Sequence, residues 1–199
     1  MGIADAPWVQ PQDRAAWRAW LEANHATVRG VWLVTWRAGF GPVLAYEDAV
    51  EEALCFGWVD GQAGRVDDQH RKLYVARRNP RSSWARSNRE RVERLTAAGL
   101  MAEAGLAAVE RARADGTWTM LEDAENLVVP PDLAAALAAV PAADEGWSAC
   151  SPSGRRMLLE WIRQAKRPET RATRIGTIAG CAGHGELPPP LRPRERPRT

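Results

Sequence analysis

The chain has 199 residues, of which 45% are hydrophobic and 26% are charged, and a formal net charge of +2. This length suffices for one domain, or one domain with a helical appendage, and for a core that forms without disulfides or a structural metal. The composition excludes a collagen, a coiled coil and a disulfide scaffold. A membrane protein is excluded because no apolar run approaches the ~18 residues of a membrane span.

The N-terminal half alternates between helix and strand signals. Asp13 is a candidate N-cap for a helix that carries Trp17 and Leu21 on one face. The β-branched and aromatic run GVWLVTWR predicts a strand, and Gly57 is a candidate helix end. The predicted elements are a helix over 13–24, strands over 30–37 and 43–46, a helix over 47–56, strands over 58–66 and 70–78, a helix from Ser82 or Ser83 to 98, and a helix over 102–114.

The remaining chain is predicted to be helical. Asp132 is a candidate helix cap, and Ser151 followed by Pro152 is an N-cap with proline at the first helical position. The last residues, HGELPPPLRPRERPRT, predict disorder, because prolines and arginines offer little to bury. The sequence therefore predicts an α/β domain over 1–127, a helical module over 130–183 and a disordered tail over 184–199, whose deletion should leave the melting temperature unchanged.

Net charge, cysteine spacing and the first residues of the chain indicate which partners, sites and location to expect. The positive charge belongs to the tail, which carries four arginines and two glutamates, so we expect no nucleic-acid partner. The cysteines Cys55, Cys150 and Cys181 show no CxxC spacing, so we expect neither a metal site nor a cofactor. The first residues lack the basic start and apolar core of a secretory signal, which favours a cytoplasmic protein without a membrane span.

The residues best suited to bind a ligand lie near a predicted helix start. Asn88 lies one helical turn from Trp84 on an apolar helix side, where a buried amide needs partners. Two arginines and two serines precede and open this predicted helix: Arg78, Arg81, Ser82 and Ser83. The free N–H groups of a helix start favour an anion. The alternative is that Asn88 ties down a loop, while the other groups cap the helix and pair with acidic residues. The predicted ligand-binding cleft comprises Trp58, Asp60, Arg78, Arg81, Ser83, Trp84 and Asn88.

Three blocks of sequence form a recognisable pattern. The first is WLE at 20–22, NH at 24–25 and GVWL at 30–33. The second is YEDAVEEALCFGWVDGQ at 46–62, continued by Asp67, Arg78, PR at 80–81, SW at 83–84, Asn88 and RVERL at 91–95. The third, between Ser151 and Ile175, contains WI, AK, ETR and RI pairs or triplets. Together, over about residues 13–183, they resemble the YdeI/OmpD-associated, or bacteriocin-protection, family.

The resemblance implies an α+β fold with a small antiparallel sheet flanked by helices, of the YjbR/CyaY (frataxin-like) kind, and a helical C-terminal module. Members of this family are linked to protection against bacteriocins or cationic antimicrobial peptides. Some of them are described as periplasmic or porin-associated. The family supplies no agreed catalytic residues, so the catalytic residues of this chain stay unknown.

We therefore expect a non-enzymatic binding or stress-protection protein that takes a small anionic ligand or a protein partner. The alternative is an enzyme of unknown reaction on an anionic substrate. A third hypothesis is metal handling by the acidic helix at 47–55. A closed pocket with convergent polar groups would favour a small ligand, whereas an exposed tryptophan patch would favour a protein partner. The residues available to the enzyme are Asp60, Asp67, Arg78, Arg81 and Asn88.

Overall fold

The computed structural model describes residues 3–192. Its contacts divide the chain into two compact units, Met1–Met120 and Leu121–Thr199, which we name the N-terminal unit and the C-terminal unit. The sequence places this boundary slightly later, between residues 127 and 130. Each unit contains its own cluster of buried hydrophobic side chains, and each is therefore described by itself.

The N-terminal unit is α+β, as predicted. A short 3-10 turn, Ile3–Asp5, precedes its regular elements. In its described residues the strands are β1 (Trp8–Val9), β2 (Gly30–Trp36), β3 (Trp58–Arg65) and β4 (His70–Arg77), and the helices are α1 (Arg14–Asn24), α2 (Tyr46–Cys55), α3 (Arg86–Ala97) and α4 (Glu103–Ala114).

The four strands form one mixed sheet in the order β1-β2-β4-β3. β4 runs antiparallel to both β2 and β3, as expected. β1 runs parallel to β2, with Trp8 opposite Trp32, so the expectation of a purely antiparallel sheet is wrong at this edge. Two residues are too few to show the alternation of apolar and polar side chains that predicts a strand. β1 forms because it pairs with β2, and the hydrogen bond from the Trp32 N–H to the Pro7 carbonyl at 2.9 Å is part of this pairing.

The strand predicted over 43–46 is also wrong. Tyr46 is the first residue of α2, and Ala45, at φ −64° and ψ 147°, is its N-cap. Glu47 and Asp48 lie in the first turn, where negative charge interacts favourably with the helix dipole. The acidic start therefore extends the helix to Tyr46, and the preceding residues form an irregular connection.

The helix predicted from Ser82 or Ser83 begins at Arg86. Ala85 is its N-cap, and no side chain caps it. The Ser82 hydroxyl and N–H both donate to the Asn79 carbonyl, at 2.7 and 2.9 Å. These two bonds close a turn, so the serines belong to a loop and do not stand at a helix start.

The C-terminal unit contains helices and connecting segments but no strand in its described residues. Ser151 caps the fourth of its helices by accepting a hydrogen bond from the Gly154 N–H at 3.1 Å, as predicted. Pro130, not Asp132, is the N-cap of the second helix, and Asp132 lies in its first turn. None of the helices in residues 3–192 has the length and apolarity needed to cross a bilayer. The helices are α5 (Glu122–Glu125), α6 (Pro131–Ala138), α7 (Ala143–Ala149), α8 (Pro152–Arg163) and α9 (Pro168–Gly183).

The segment after α9 packs on the C-terminal unit as far as residue 192. Pro188 is buried, a 3-10 turn covers Pro189–Leu191, and Leu191 packs against the hydrophobic cluster. The sequence predicts disorder for all of 184–199. Prolines lose little conformational entropy on folding, which favours order once their rings have a surface to contact. Residues 193–199, to which the prediction also applies, lie outside the described residues.

Leu191→Ala should lower the melting temperature, because it removes a partly buried side chain from this contact. Truncating a fully buried leucine costs ~2–5 kcal/mol, so a partly buried one should cost ~1–2 kcal/mol. Leu187→Ala is the matched control, since Leu187 is 52% exposed. Thermal unfolding followed by circular dichroism measures both, and equal melting temperatures for the two variants would contradict the packing of the segment.

Candidate functional site

Arg78 is the residue around which the candidate site is built. Its backbone N–H donates to the Gly57 carbonyl at 3.1 Å, which fixes its position after β4. The guanidinium lies 3.8 Å from the centre of a Trp84 ring and donates through Nη2 to the Ser83 carbonyl. Its Nε–H is buried and has no hydrogen-bond partner in the described part of the chain. The ring and the carbonyl therefore orient the guanidinium, and its buried Nε–H is left without an acceptor.

The surroundings of Arg78 withdraw it from water without neutralising it. The Trp84 ring and the Ser83 carbonyl, its contacts within residues 3–192, carry no negative charge. Burial lowers the pKa of Arg78 to about 10, and the charge of Asp60 only partly opposes this shift. The side chain is still protonated at neutral pH. A cation held in this way is costly, and a bound anion would relieve the cost.

A small cavity of about 10 Å³ lies beside this guanidinium. The loop residues Asn79 and Pro80 line one side of it, and Arg111 of α4 brings a second guanidinium to it. The space fits a single water-sized atom. It therefore suits one oxygen of an anion whose other atoms lie outside, near the exposed Arg111.

Asp60 makes a different contact. It lies on β3 opposite Val75 and accepts a hydrogen bond from the Tyr46 hydroxyl at 2.7 Å. Partial desolvation, this hydrogen bond and the charge of Asp60 raise the pKa of Tyr46 to about 12. The phenol therefore stays protonated at neutral pH and continues to donate to Asp60. Asp60 influences Arg78 through its charge and not through a direct contact.

Asn88 supports Arg91, the arginine of α3 that joins this helix to α2. Its Oδ1 accepts a hydrogen bond from Nη1 of Arg91 at 2.9 Å. Arg91 also donates to both carboxylate oxygens of Glu47, at 2.8 and 2.7 Å, and so joins α3 to α2. Asn88 does not line the cavity beside Arg78. These contacts favour the interpretation that Asn88 is a structural tie.

The other predicted residues are divided between the core and a loop. Trp58 is 1% exposed and packs edge-on against Trp20, with ring centres 6.0 Å apart. Arg81 is exposed, and its backbone N–H donates to the Asn79 side chain at 2.9 Å. The structure thus joins three of the seven predicted residues through direct contacts and gives the other four different neighbours. The three are Arg78, Ser83 and Trp84.

The two polar residues of the cavity besides Arg78, Asn79 and Arg111, are absent from the predicted site. Asn79 is followed by Pro80, a pair that indicates only the end of a strand. Arg111 reaches the cavity because α4 lies beside Trp84, and Ala108 and Ala112 of α4 line the same cavity as that ring. No spacing rule connects a residue of α4 with this loop, so the sequence offers no signal for Arg111.

The acidic residues of α2 are paired with arginines. Glu52 is 3% exposed and accepts hydrogen bonds from Arg14 at 2.6 Å and Arg18 at 2.8 Å. Glu47 pairs in turn with Arg91. In residues 3–192 no group of three or more His, Cys, Asp or Glu side chains is arranged to hold a metal ion. Carboxylates engaged in this way are not open oxygen ligands for a hard cation, which weighs against the metal-handling hypothesis.

Comparison with known families agrees with the division into an α+β unit and a helical unit. Residues 9–108, half of the chain, match a domain of unknown function, DUF8412, and the protein belongs to that family. Residues 126–185 match the family described as "Bacteriocin-protection, YdeI or OmpD-Associated". The predicted resemblance to that family is thereby confirmed, and its matched part is the C-terminal module. The motif around 46–62 falls within the DUF8412 match.

No curated protein and no solved structure matches the chain. The YjbR/CyaY-like assignment therefore stays a prediction.

The ion pair between Glu47 and Arg91 should make stability depend on pH. Hydrogen bonds from Arg91 and its charge hold the pKa of Glu47 below its usual value of 4.5. Because the folded-state pKa is depressed, the contribution is present above the unfolded-state pKa and is lost as the pH falls through the lower folded-state value. Solvent screening of this half-exposed pair keeps it below ~1 kcal/mol.

Glu47→Gln should therefore lower the free energy of unfolding slightly at pH 7, and the difference from the wild type should shrink towards pH 3. Urea unfolding at several pH values measures both quantities. Glu90→Gln, an exposed change on α3, is the control. A difference that stays constant down to pH 3 would mean that Glu47 stabilises the fold in another way.

Proposed function

We propose that this protein is a non-enzymatic binding protein that holds a small oxyanion, such as a phosphate or a carboxylate, at Arg78 in its N-terminal unit. The observation that carries the proposal is the buried guanidinium of Arg78, stacked on Trp84 with an unpaired Nε–H. We propose further that the bound anion serves the protective role named in the description of the family that residues 126–185 match.

The chemistry of Arg78 supports an oxyanion as the ligand. The buried Nε–H of this guanidinium has no acceptor and can donate a charge-assisted hydrogen bond to one oxygen of a carboxylate or phosphate. Such charge-assisted bonds are about twice as strong as neutral ones. The Trp84 ring already fixes the plane of the guanidinium, so binding costs little further side-chain entropy. Arg111 adds a second positive charge next to the same cavity.

The alternative, an enzyme that acts on a small anionic substrate, has less support. General acid–base catalysis needs a group whose pKa lies near the working pH. Tyr46 and Asp60 form a hydrogen-bonded pair of a phenol and a carboxylate, but desolvation and this bond raise the pKa of Tyr46 to about 12. A phenol with that pKa is a poor proton donor or acceptor at neutral pH, whereas a binding role requires neither.

The binding proposal predicts that Arg78→Gln removes affinity for inorganic phosphate. A charge-assisted hydrogen bond contributes ~1.5–3 kcal/mol, so the dissociation constant should rise at least tenfold. Calorimetric titration at constant ionic strength measures it. Arg78→Lys keeps the positive charge but removes the planar guanidinium that stacks on Trp84. It should weaken phosphate binding less than Arg78→Gln does. Arg81→Ala should leave phosphate binding unchanged, because this exposed side chain does not line the cavity.

Arg156→Gln is the matched control, because it removes one exposed positive charge from the C-terminal unit. Phosphate should bind this variant as it binds the wild type. Equal affinity in Arg78→Gln, or the absence of binding to the wild type by phosphate, sulfate and acetate alike, would refute the proposal. Circular dichroism of each variant separates a lost site from a lost fold.

The protective role is tested in a bacterial host that is sensitive to a pore-forming bacteriocin. Expression of the wild-type chain should raise survival, because the family description names this protection. Arg78→Gln should give no increase, whereas Arg156→Gln should protect like the wild type. Protection by Arg78→Gln at equal expression would separate the protective role from the anion site, and absence of protection by the wild type would refute that role.

A further inference from the structure

The C-terminal unit contains a cavity of about 250 Å³ that the proposed function does not use. The connection before α6 and the end of α8 line it. Its walls are largely apolar, with Val129, Leu159 and Ile162 among them. Two arginines, Arg163 and Arg171, bring positive charge to the same space. An apolar cavity with a few convergent charged groups is the usual form of a small-molecule site.

The two arginines differ in what they contact. Arg171 donates to both carboxylate oxygens of Asp132, at 2.6 and 2.9 Å, and is therefore neutralised within the unit. Arg163 is the last residue of α8, and its Nε–H is buried without a hydrogen-bond partner in the described part of the chain. Arg163 is thus the cation of this cavity that lacks a direct counter-charge.

The acidic groups around the cavity do not replace that counter-charge. Glu160, one turn earlier on α8, acts on Arg163 only through its charge and lies 3.6 Å from Arg156. Asp123 lines the cavity but is exposed to solvent. Burial consequently lowers the pKa of Arg163 in spite of Glu160. A carboxylate that enters the cavity would meet a partly buried cation with an unpaired Nε–H on one side and hydrocarbon on the other.

We propose that this cavity binds a small carboxylic acid with an apolar body, its carboxylate on the Arg163 guanidinium and its hydrocarbon against Leu159 and Ile162. The volume lies below the ~300–1,000 Å³ of sites for drug-sized ligands, which restricts the ligand to a short chain. A phosphate or another anion without an apolar part would leave the walls of the cavity uncovered. The required apolar body distinguishes this ligand from the small oxyanion proposed for Arg78.

The test is calorimetric titration of the full-length chain with hexanoate and with hexanamide, its uncharged counterpart, in a phosphate concentration that saturates the site proposed at Arg78. Hexanoate should bind at least tenfold more tightly than hexanamide, because the amide cannot neutralise Arg163. This comparison uses the wild-type protein and does not depend on the folding of any variant. Equal affinity for the two compounds, or no binding of hexanoate, would refute the proposal.

Arg163→Gln should reduce hexanoate affinity at least tenfold and leave the affinity for hexanamide unchanged. Arg156→Gln is the matched control on the same helix, since Arg156 is largely exposed. Arg78→Gln should leave hexanoate binding intact even if phosphate binding is lost, so the two proposals fail separately. Hexanoate binding that survives in Arg163→Gln, or that disappears in Arg156→Gln as well, would overturn the assignment to this cavity.

Discussion

The burial of Glu52 is the constraint on which the N-terminal unit depends. This side chain is 3% exposed, and two arginines of α1 hold it, Arg14 at 2.6 Å and Arg18 at 2.8 Å. A carboxylate buried without a partner is costly, and these two arginines supply the compensating charge. The pairing therefore keeps α1 and α2 in one arrangement. That arrangement sets the position of Gly57 at the end of α2, and its carbonyl receives the N–H of Arg78.

The elements that the sequence predicts correctly are those with a local physical cause. The Asp13 and Ser151 side chains satisfy free N–H groups within their own helices, so their sequence signal is complete without the rest of the fold. β1 has no such cause, because its two residues become a strand only through pairing with β2. The helix start at Arg86 depends likewise on a turn that Ser82 forms with the Asn79 carbonyl, a competition that helix propensity does not describe.

The same distinction explains how much of the candidate site could be predicted. The sequence predicts Asn88 and Trp84 on one helix face, but Trp84 precedes α3, so the spacing argument does not apply to this pair. The predicted cleft contains both Arg78 and Trp84, and a loop, not a helix start, brings these two side chains into contact. Arg111 has no sequence signal, because its position is decided by the packing of α4.

The number of arginines does not indicate function in this chain, because all but two of its basic residues are arginine. Burial and pairing distinguish the arginines that are suited to bind a ligand. In residues 3–192 three guanidiniums have a buried Nε–H without a partner, and they are Arg78, Arg155 and Arg163. Arg78 and Arg163 also line cavities, and burial lowers the pKa of both. A cation that is both desolvated and beside open space is stabilised by an incoming anion, whereas an exposed or paired arginine gains little. In the described part of each unit one arginine thus has surroundings that favour an anionic ligand, with a space of about 10 Å³ beside Arg78 and an apolar cavity of about 250 Å³ beside Arg163.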